Sequence, residues 1–507
     1  DIDVLRDPKV LTKFEKIDAN GIHTISNPDE VEFFDEDGNL RENLLIKWNN
    51  LIALYSLRQR LAGKVKLIYI DPPYNTGSDG FRYNDSFNHS TWLVFMRNRL
   101  EIARELLSDD GAIFVQCDDN EQAYLKVLMD EVFHRENFVN CIIPVMNPRW
   151  RQESSYPIAK SHEYVLVYSK IEGNATFYNV GIQKNDNNDS FRLLGLRKSW
   201  NASSRVDRPN MYFPIFYNES KNEISTEQID GFDIEILPIK TNDNSEWRWR
   251  WSKKNVESNK EFLVIKKNSK NIYDVYVKDY LVKDGETKGV KIQTFIKDTW
   301  IINDKANEHL QEMFKDKVFD YPKSEIFIKM LIDFSTQPWD IVLDYHLWSW
   351  TTSAVAHKMG RRWIGIEQMD YIEDIAKVRL QKVIEGEQWG ISKSVDWKWG
   401  GNFVYMELKT YNIEYLERIE WATTKEELQK VYVDMAHNAF LQFWFDRRDF
   451  EREGYKILSL EEQKIKLREL LDMNHLYLNA LDMDDTRHRI TLLERSLTTK
   501  FYGKQEI

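Results

Sequence analysis

Glycine is scarce in this chain: 20 residues in 507, roughly 4% where about 7% is usual. Left-handed turns and close backbone approaches therefore have few of the residues that normally serve them. Cysteine is scarcer still. Cys117 and Cys141 are the only two, too few for a disulfide framework or a cysteine-based zinc cluster. No apolar run approaches membrane-spanning length, and no secretory leader is visible. A cytoplasmic protein with no membrane association is expected. The first residue is Asp1 rather than methionine, so a fragment of a longer chain is expected. No internal repeat is present, and no Walker lysine follows a glycine-rich loop, which argues against a triphosphate ligand.

What is present points elsewhere. At 507 residues, with 42% hydrophobic residues, the chain is long enough for two or three globular domains. The net charge of −12 excludes general polyanion coating but not a local DNA-binding cleft. Tryptophan is abundant, at 17 residues, and several stand where turns are expected: Trp339 just before a strand, Trp348 and Trp350 just before a helix.

The apolar run Val65 to Ile70 reads as a buried strand and is followed at once by Asp71-Pro72-Pro73-Tyr74. Two prolines cannot continue a ladder, so the chain leaves the sheet there. A carboxylate, carbonyls held at fixed φ and an aromatic ring are thereby placed at a strand's carboxyl end, where open α/β sheets bind ligands. This set suits gripping an exocyclic amino group while a ring stacks on the base that carries it. A proline-stabilised turn is the bland alternative.

Around this motif the pattern alternates. Asn43 to Leu61 has helical periodicity, 65–70 is a strand, and Ser90 to Leu107 is an amphipathic helix. Asp109-Asp110-Gly111 reads as a turn and 112–117 as a strand. Glu121 to Phe133 is a helix capped by Asp118 or Asp119, and Glu163 to Ser169 is another strand. Such alternation predicts a doubly wound, mostly parallel α/β sheet. From about 172 to 318 the chain is polar, with short alternating strands and no long helix, and reads as a β-rich insert. Regular α/β pattern resumes with a helix at 324–335, a strand at 341–345, a helix at 351–359 and a strand at 363–366. The region from 409 to 507 reads as helical, with capping boxes at Thr424-x-x-Glu427 and Ser459-x-x-Glu462.

The second half carries a strand, a tight loop and a helix start: Asp344, Tyr345, Trp348, Ser349, Trp350, Thr351 and Thr352. Glu367 ends the next strand, 23 residues beyond Asp344. An acid at about that distance commonly accepts hydrogen bonds from ribose hydroxyls. A nucleoside cofactor fits, with S-adenosylmethionine the main candidate. A strand-end carboxylate in a salt bridge is the alternative for Glu367. No metal site is expected: His89, His162, His346 and His357 show no ligand spacing.

These residues together resemble a known family. Asp71-Pro72-Pro73-Tyr74-Asn75-Thr76-Gly77, then Pro322-Lys323-Ser324, then Leu343-Asp344-Tyr345 is similar to the β-class amino methyltransferases of DNA. More closely the chain resembles the modification (Mod) subunits of type III restriction–modification systems. Strings such as Phe87-Asn88-His89-Ser90-Thr91-Trp92, Phe114 to Glu121 and Lys160-Ser161-His162-Glu163-Tyr164 carry that likeness. The resemblance implies a Rossmann-like methyltransferase sheet in two parts, 43–171 with the catalytic motif and 319–408 with the cofactor loop. It also implies a target-recognition insert at 172–318, an N-terminal segment at 1–42 and a helical region at 409–507. Its activity would be methylation of adenine N6 in double-stranded DNA with S-adenosylmethionine. Asp71, Pro72, Pro73 and Tyr74 would be catalytic, and Lys323 would lie by the cofactor. A homodimer and a helicase–nuclease restriction subunit are the implied partners. A cytosine-N4 methyltransferase shares the architecture, and a catalytically dead DNA-binding subunit is the third reading.

One departure stands out. The family loop is normally Gly-Ser-Gly-Thr-Thr or close to it, and here it reads Trp348-Ser349-Trp350-Thr351-Thr352. The resemblance also implies glycine at positions 48, 150, 200, 247, 339, 389 and 399, where this chain has tryptophan, whereas Trp92, Trp249 and Trp251 fit the pattern. An indole brings on the order of 150–250 Å² of surface into space meant for a cofactor. A UGA codon decoded as tryptophan, in a host that reads it as glycine, would explain the whole set. Finally, Arg149, Arg151, Arg192, Arg197, Lys198, Arg205, Arg208, Arg248, Arg250 and Lys253 lie among aromatics in or near the insert. They are candidates for phosphate and base contacts, or for a solvated basic face.

Overall fold

The computed structural model describes residues 6–76, 88–146, 160–179, 191–198, 203–240, 243–268, 271–280, 282–283, 286–287, 291–297, 301–315, 322–369, 371–439, 441, 455–472 and 476–503. The chain divides into two compact units, residues 1–178 with 292–507, and residues 179–291.

The first unit is built on an eleven-stranded sheet. Its N-terminal elements are β1 (Leu11–Asp18), β2 (Gly21–Thr24), β3 (Asn43–Lys47), α1 (Asn50–Leu61) and β4 (Val65–Ile70). There follow α2 (His89–Leu106), β5 (Leu107–Cys117), α3 (Gln122–Phe133), β6 (Phe138–Pro144) and β7 (Tyr164–Ser169).

The second unit holds β8 (Phe191–Gly195), β9 (Ile215–Asn218), β10 (Glu223–Ser225), β11 (Ile234–Ile236) and the short helix α4 (Lys253–Ser258). It continues with β12 (Leu263–Lys267), β13 (Tyr273–Tyr280), β14 (Val282–Lys283) and β15 (Glu286–Thr287). These strands form two three-stranded sheets and a small hairpin, closed around Leu196, Phe213, Ile215, Trp249 and Val275.

The chain then returns to the first unit with β16 (Phe295–Ile296), α5 (Asn303–Phe314), α6 (Glu325–Ser335), β17 (Ile341–Asp344) and α7 (Thr351–Lys358). Next come β18 (Arg362–Glu367), α8 (Lys377–Ile384) and β19 (Phe403–Leu408), then α9 (Asn412–Trp421), α10 (Lys425–Asn438), α11 (Leu460–Leu470) and α12 (Leu492–Tyr502).

The strand order is β16-β6-β7-β5-β4-β17-β18-β3-β19-β1-β2. The central six, from β5 to β19, pair in parallel, while β7 joins β5 and β1 joins β19 antiparallel. Parallel strands must be covered on both faces, so they read as unbroken apolar runs, and β4 is buried along its whole length.

Four local expectations are corrected. Asn43 to Leu61 is not one helix: Leu44-Leu45-Ile46 forms a fully buried strand, and only from Asn50 does the chain coil, with Asn49 accepting from the Leu51 N–H. A short apolar run cannot be told from a helix by periodicity alone. Asp109-Asp110-Gly111 is no turn but part of β5, whose ladder to β4 carries an irregularity. Asp118 and Asp119 do not cap α3. Its N-cap is Glu121, which makes no side-chain cap bond, and Asp118 accepts from Asn120 instead. The polar region before 318 does contain a full helix, α5.

The C-terminal helices α9, α10 and α11 enclose their own core of Ile419, Leu428, Tyr432 and Leu467. Both expected capping boxes form, at Thr424 and Ser459, and a third at Thr491 starts α12. Among the described residues no helix is long and apolar enough to cross a membrane.

Candidate active site

Between β4 and β17 the winding of the sheet reverses. The connection through α2 leads from β4 to its neighbour on one side, β5, while α7 leads from β17 to β18 on the other. Loops leaving two adjacent strands in opposite directions open a crevice at their carboxyl ends. The loops that leave here are Asp71–Tyr74 after β4 and Tyr345–Trp350 after β17. Residues more than 270 positions apart are brought together by the parallel pairing of Leu343 with Ile68.

On the β4 side, Asp71 is part of a dense polar cluster. The Tyr74 hydroxyl lies 2.5 Å from Asp71 Oδ1 and 2.8 Å from Glu163 Oε2. Lys323 Nζ donates to Tyr74 Oη and Glu163 Oε2, both at 2.9 Å, and sits 3.3 Å from Asp71 Oδ2. Gln116 Nε2 donates to Glu163 at 2.6 Å, and Tyr69 Oη donates to Gln116 Oε1 at 2.5 Å. Burial dominates the protonation of Asp71: it lifts the pKa to about 6, with Glu163 adding to the rise and Lys323 and Tyr74 opposing it. Glu163 is buried too, but Lys323 outweighs the desolvation and holds it below its ordinary value. Burial pulls Lys323 down, yet Asp71 and Glu163 win and keep its ammonium charged. The double-proline turn is held by Trp92, fully buried on α2, whose indole N–H donates to the Pro73 carbonyl at 2.8 Å.

On the β17 side, Asp344 organises the loop. One carboxylate oxygen accepts from the His346 N–H at 3.0 Å and the other from Thr352 Oγ1 at 2.6 Å. Burial pushes its pKa well above the carboxylate range, against these bonds. Glu367, at the end of β18, accepts from the N–H groups of Gln368 (2.9 Å), Met369 (3.2 Å) and Trp348 (3.2 Å). Burial still raises it to about 7. Ser349 Oγ lies 3.1 Å from Thr351 Oγ1, and Thr351 Oγ1 donates to the Lys323 carbonyl at 3.2 Å, which ties the two halves together. Arg379 donates to the Ser349 carbonyl and, at 2.9 Å, to Glu325. Tyr345 turns into the hydrophobic core, its ring against His346, which in turn meets Phe95.

Asp71, Tyr74 and Lys323 thus form one cluster, and Asp344, Ser349, Thr351, Thr352 and Glu367 a second beside it. Pro72 and Pro73 are buried in the turn between Asp71 and Tyr74. Sequence reasoning did not single out Gln116 and Glu163 as site residues. Glu163 meets Tyr74, and Gln116 meets Glu163, because β5 and β7 pair antiparallel, Gln116 opposite Val165. Of the arginines considered for DNA, Arg149 and Arg151 lie outside the described residues. Arg197 is paired with Asp274, and Arg205 with Glu246 at 2.9 Å, so both serve their own unit. His357 accepts from Trp363 Nε1 at 3.2 Å, and its other ring nitrogen lies 2.9 Å from the Gly400 carbonyl; burial lowers its pKa to about 4.

Residues 65–378 match the family model of DNA methylases. The chain is 38% identical, over its whole length and 73% of the relative's, to a Haemophilus influenzae protein described as "Probable type III restriction-modification enzyme HindVI Mod subunit". It is 32% identical, over 66% of the chain and 58% of the relative, to the type III restriction-modification enzyme EcoPI Mod subunit of Escherichia phage P1. Among solved structures, the match to the cytosine-N4-specific PvuII DNA methyltransferase covers 71% of this chain and 92% of that one, at 12% identity and a TM-score of 0.34.

Does the crevice fit a nucleoside methyl donor? The carboxylates of Asp344 and Glu367, at the ends of neighbouring strands, have the chemistry to receive hydroxyl and amino donors. The loop between them does not fit as it stands. The Trp348 indole N–H reaches across to the Asp71 carbonyl, and Trp350 is fully buried with its ring edge-on to Tyr371 at 5.4 Å. The Trp348 indole thus spans from the β17 loop to the β4 loop, and the Trp350 indole is packed into the hydrophobic core at the start of α7.

Proposed function

This chain belongs to the DNA methylase family, and within it to the modification subunits of type III restriction–modification systems; from that premise we propose that its crevice methylates the N6 amino group of adenine in double-stranded DNA. It is a site-specific DNA methyltransferase, and the methyl donor of its family is S-adenosylmethionine.

The observation that carries the adenine reading is the Asp71–Tyr74 cluster at the switch point. The N6 lone pair of adenine is conjugated with the ring and is a poor nucleophile. Asp71 accepts one N–H of that amino group, and the Pro72 carbonyl accepts the other. Holding both hydrogens in fixed directions draws the nitrogen toward tetrahedral geometry and aims its lone pair, a contribution of positioning. A target inside a duplex must be extruded, and the Tyr74 ring offers the flipped base a stacking face. Lys323 keeps Asp71 from being neutralised entirely by burial. With its pKa near 6, Asp71 can take up the proton that the amino nitrogen releases on substitution. Asp344 and Glu367 would receive the hydroxyl and amino groups of the donor's nucleoside part once the loop between them, Tyr345, Trp348, Ser349, Trp350, Thr351 and Thr352, leaves room for it.

As a type III modification subunit, the chain acts with a second copy of itself and with a restriction subunit on DNA. Nucleoside mass spectrometry of DNA treated with the Trp348→Gly/Trp350→Gly enzyme tests the base assignment. N6-methyladenine, lost in Asp71→Ala, is expected; N4-methylcytosine would replace the adenine reading with the cytosine one.

A further inference from the structure

The tryptophans of this chain fall into two populations. Trp92, Trp249 and Trp363 are fully buried, in ordinary backbone, and each indole N–H is bonded: to the Pro73 carbonyl, the Phe213 carbonyl and His357 Nδ1. The second population is defined by its backbone. Trp48 (φ 109°), Trp339 (φ 76°), Trp348 (φ 44°) and Trp350 (φ 59°) all lie in the left-handed region. A bulky aromatic there is a genuine outlier, whereas asparagine, aspartate and histidine are tolerated. Among the described residues, tryptophan supplies 4 of the 13 non-glycine positions at positive φ, although only 17 of 507 residues are tryptophan.

These four have no common environment. Trp339 is 69% exposed, Trp350 is fully buried, and Trp48 and Trp348 are half-buried. A role in packing or binding would have selected one kind of surrounding; what they share is the conformation that suits glycine. Glycine is also the residue in which this chain is poor. Three of the four cluster at one place. The Trp48 N–H donates to the Glu367 carbonyl at 2.9 Å, the Trp348 N–H to the Glu367 carboxylate, and Trp350 opens α7. Trp247, Trp389 and Trp399 are not at positive φ, so the backbone makes no such demand there. Trp150 and Trp200 lie outside the described residues.

We propose that the natural chain carries glycine at 48, 339, 348 and 350, encoded by UGA in a host that reads it as glycine, and that glycine at 348 and 350 opens the pocket for the methyl donor. The proposal rests on the methyltransferase reading for the identity of that ligand, but not for the glycines themselves. In the natural chain the 345–350 loop can bring its backbone against the ligand, between the carboxylates of Asp344 and Glu367. In the tryptophan form the same loop is filled by its own side chains.

Two measurements test this. The first is the gene: UGA at codons 48, 339, 348 and 350, with UGG at 92, 249 and 363, is expected, and UGG at 348 and 350 overturns the proposal. The second is calorimetric binding of S-adenosylhomocysteine, which needs no turnover. Trp348→Gly/Trp350→Gly should bind more tightly than the tryptophan form by on the order of 100-fold or more, about 2.7 kcal/mol. Equal affinity in the two forms overturns the pocket. If the double variant does not fold, the fourfold glycine variant takes its place, and the codons decide independently. A glycine variant that binds S-adenosylhomocysteine yet methylates no adenine supports this inference while refuting the proposed base.

Discussion

Position 339 allows the backbone argument to be tested free of any ligand. Trp339 precedes β17, its N–H donates to the Gly360 carbonyl at 2.9 Å, and its side chain is 69% exposed. Little burial is lost when the indole is removed. Among the described residues its ring contact is with the Arg362 guanidinium, 4.8 Å from a ring centroid, worth about 0.5–1 kcal/mol at an exposed site. That contact disappears equally in Trp339→Gly and Trp339→Ala, so the comparison of the two isolates the backbone. At φ 76° alanine keeps the Cβ clash of the left-handed region, about 1–2 kcal/mol, and glycine does not. Against this, glycine gives up about 0.4–1 kcal/mol through the greater freedom of its unfolded chain. The difference favours Trp339→Gly over Trp339→Ala by roughly 1 kcal/mol. Trp399, 70% exposed and not at positive φ, is the control, and there the order inverts, with alanine ahead by about 0.4–1 kcal/mol. Urea midpoints for the four variants, read at equal slope, make the assay. Alanine equal to or better than glycine at 339 would refute the claim that this backbone demands glycine.

The remaining predictions concern the crevice and its supports. Asp71 must be ionised to accept an N–H, and its pKa is about 6, so kcat/KM of the glycine-restored enzyme should fall as pH drops through 6 and level off above it. Lys323→Met removes the ammonium that opposes this rise, and should move that acid limb to higher pH; an unmoved limb would show that Asp71 is not the titrating group. Because the folded pKa lies above the ordinary 3.8, the folded protein holds a proton that the unfolded chain releases, so Asp71's contribution to stability declines as pH rises from about 4 to 6, and Asp71→Asn should remove that part of the slope in pH-dependent melting. Trp92→Phe leaves the buried Pro73 carbonyl without its indole donor, and should destabilise the protein by about 1–3 kcal/mol, measured by denaturant titration. Ser459→Ala removes the side-chain half of the α11 capping box at about 1 kcal/mol, with no change in DNA methylation.

Much of this protein is legible from local chemistry. The strand at 65–70 and its double-proline exit, the strand and helix around Asp344, and the caps at Thr424 and Ser459 each depend on a handful of neighbouring residues. Such signals survive in any tertiary setting. The run Leu44-Leu45-Ile46 was ambiguous because three apolar residues have no period; its strand identity comes from pairing with β18 and β19 on either side. The indole-for-glycine pattern showed in composition, but only the backbone separates Trp48, Trp339, Trp348 and Trp350 from Trp247, Trp389 and Trp399.

By itself, then, the sequence determined the chemistry at each strand end: a carboxylate beside two prolines and a phenol, and an acid at the head of a second loop. The tertiary structure decided which of these ends are neighbours. Parallel pairing of β4 with β17 places the two loops side by side, and antiparallel pairing of β5 with β7 brings Gln116 to Glu163, the acceptor of the Tyr74 hydroxyl. Contacts of that kind join residues tens to hundreds of positions apart through sheet register, and register is a property of the packed sheet rather than of any short stretch of chain.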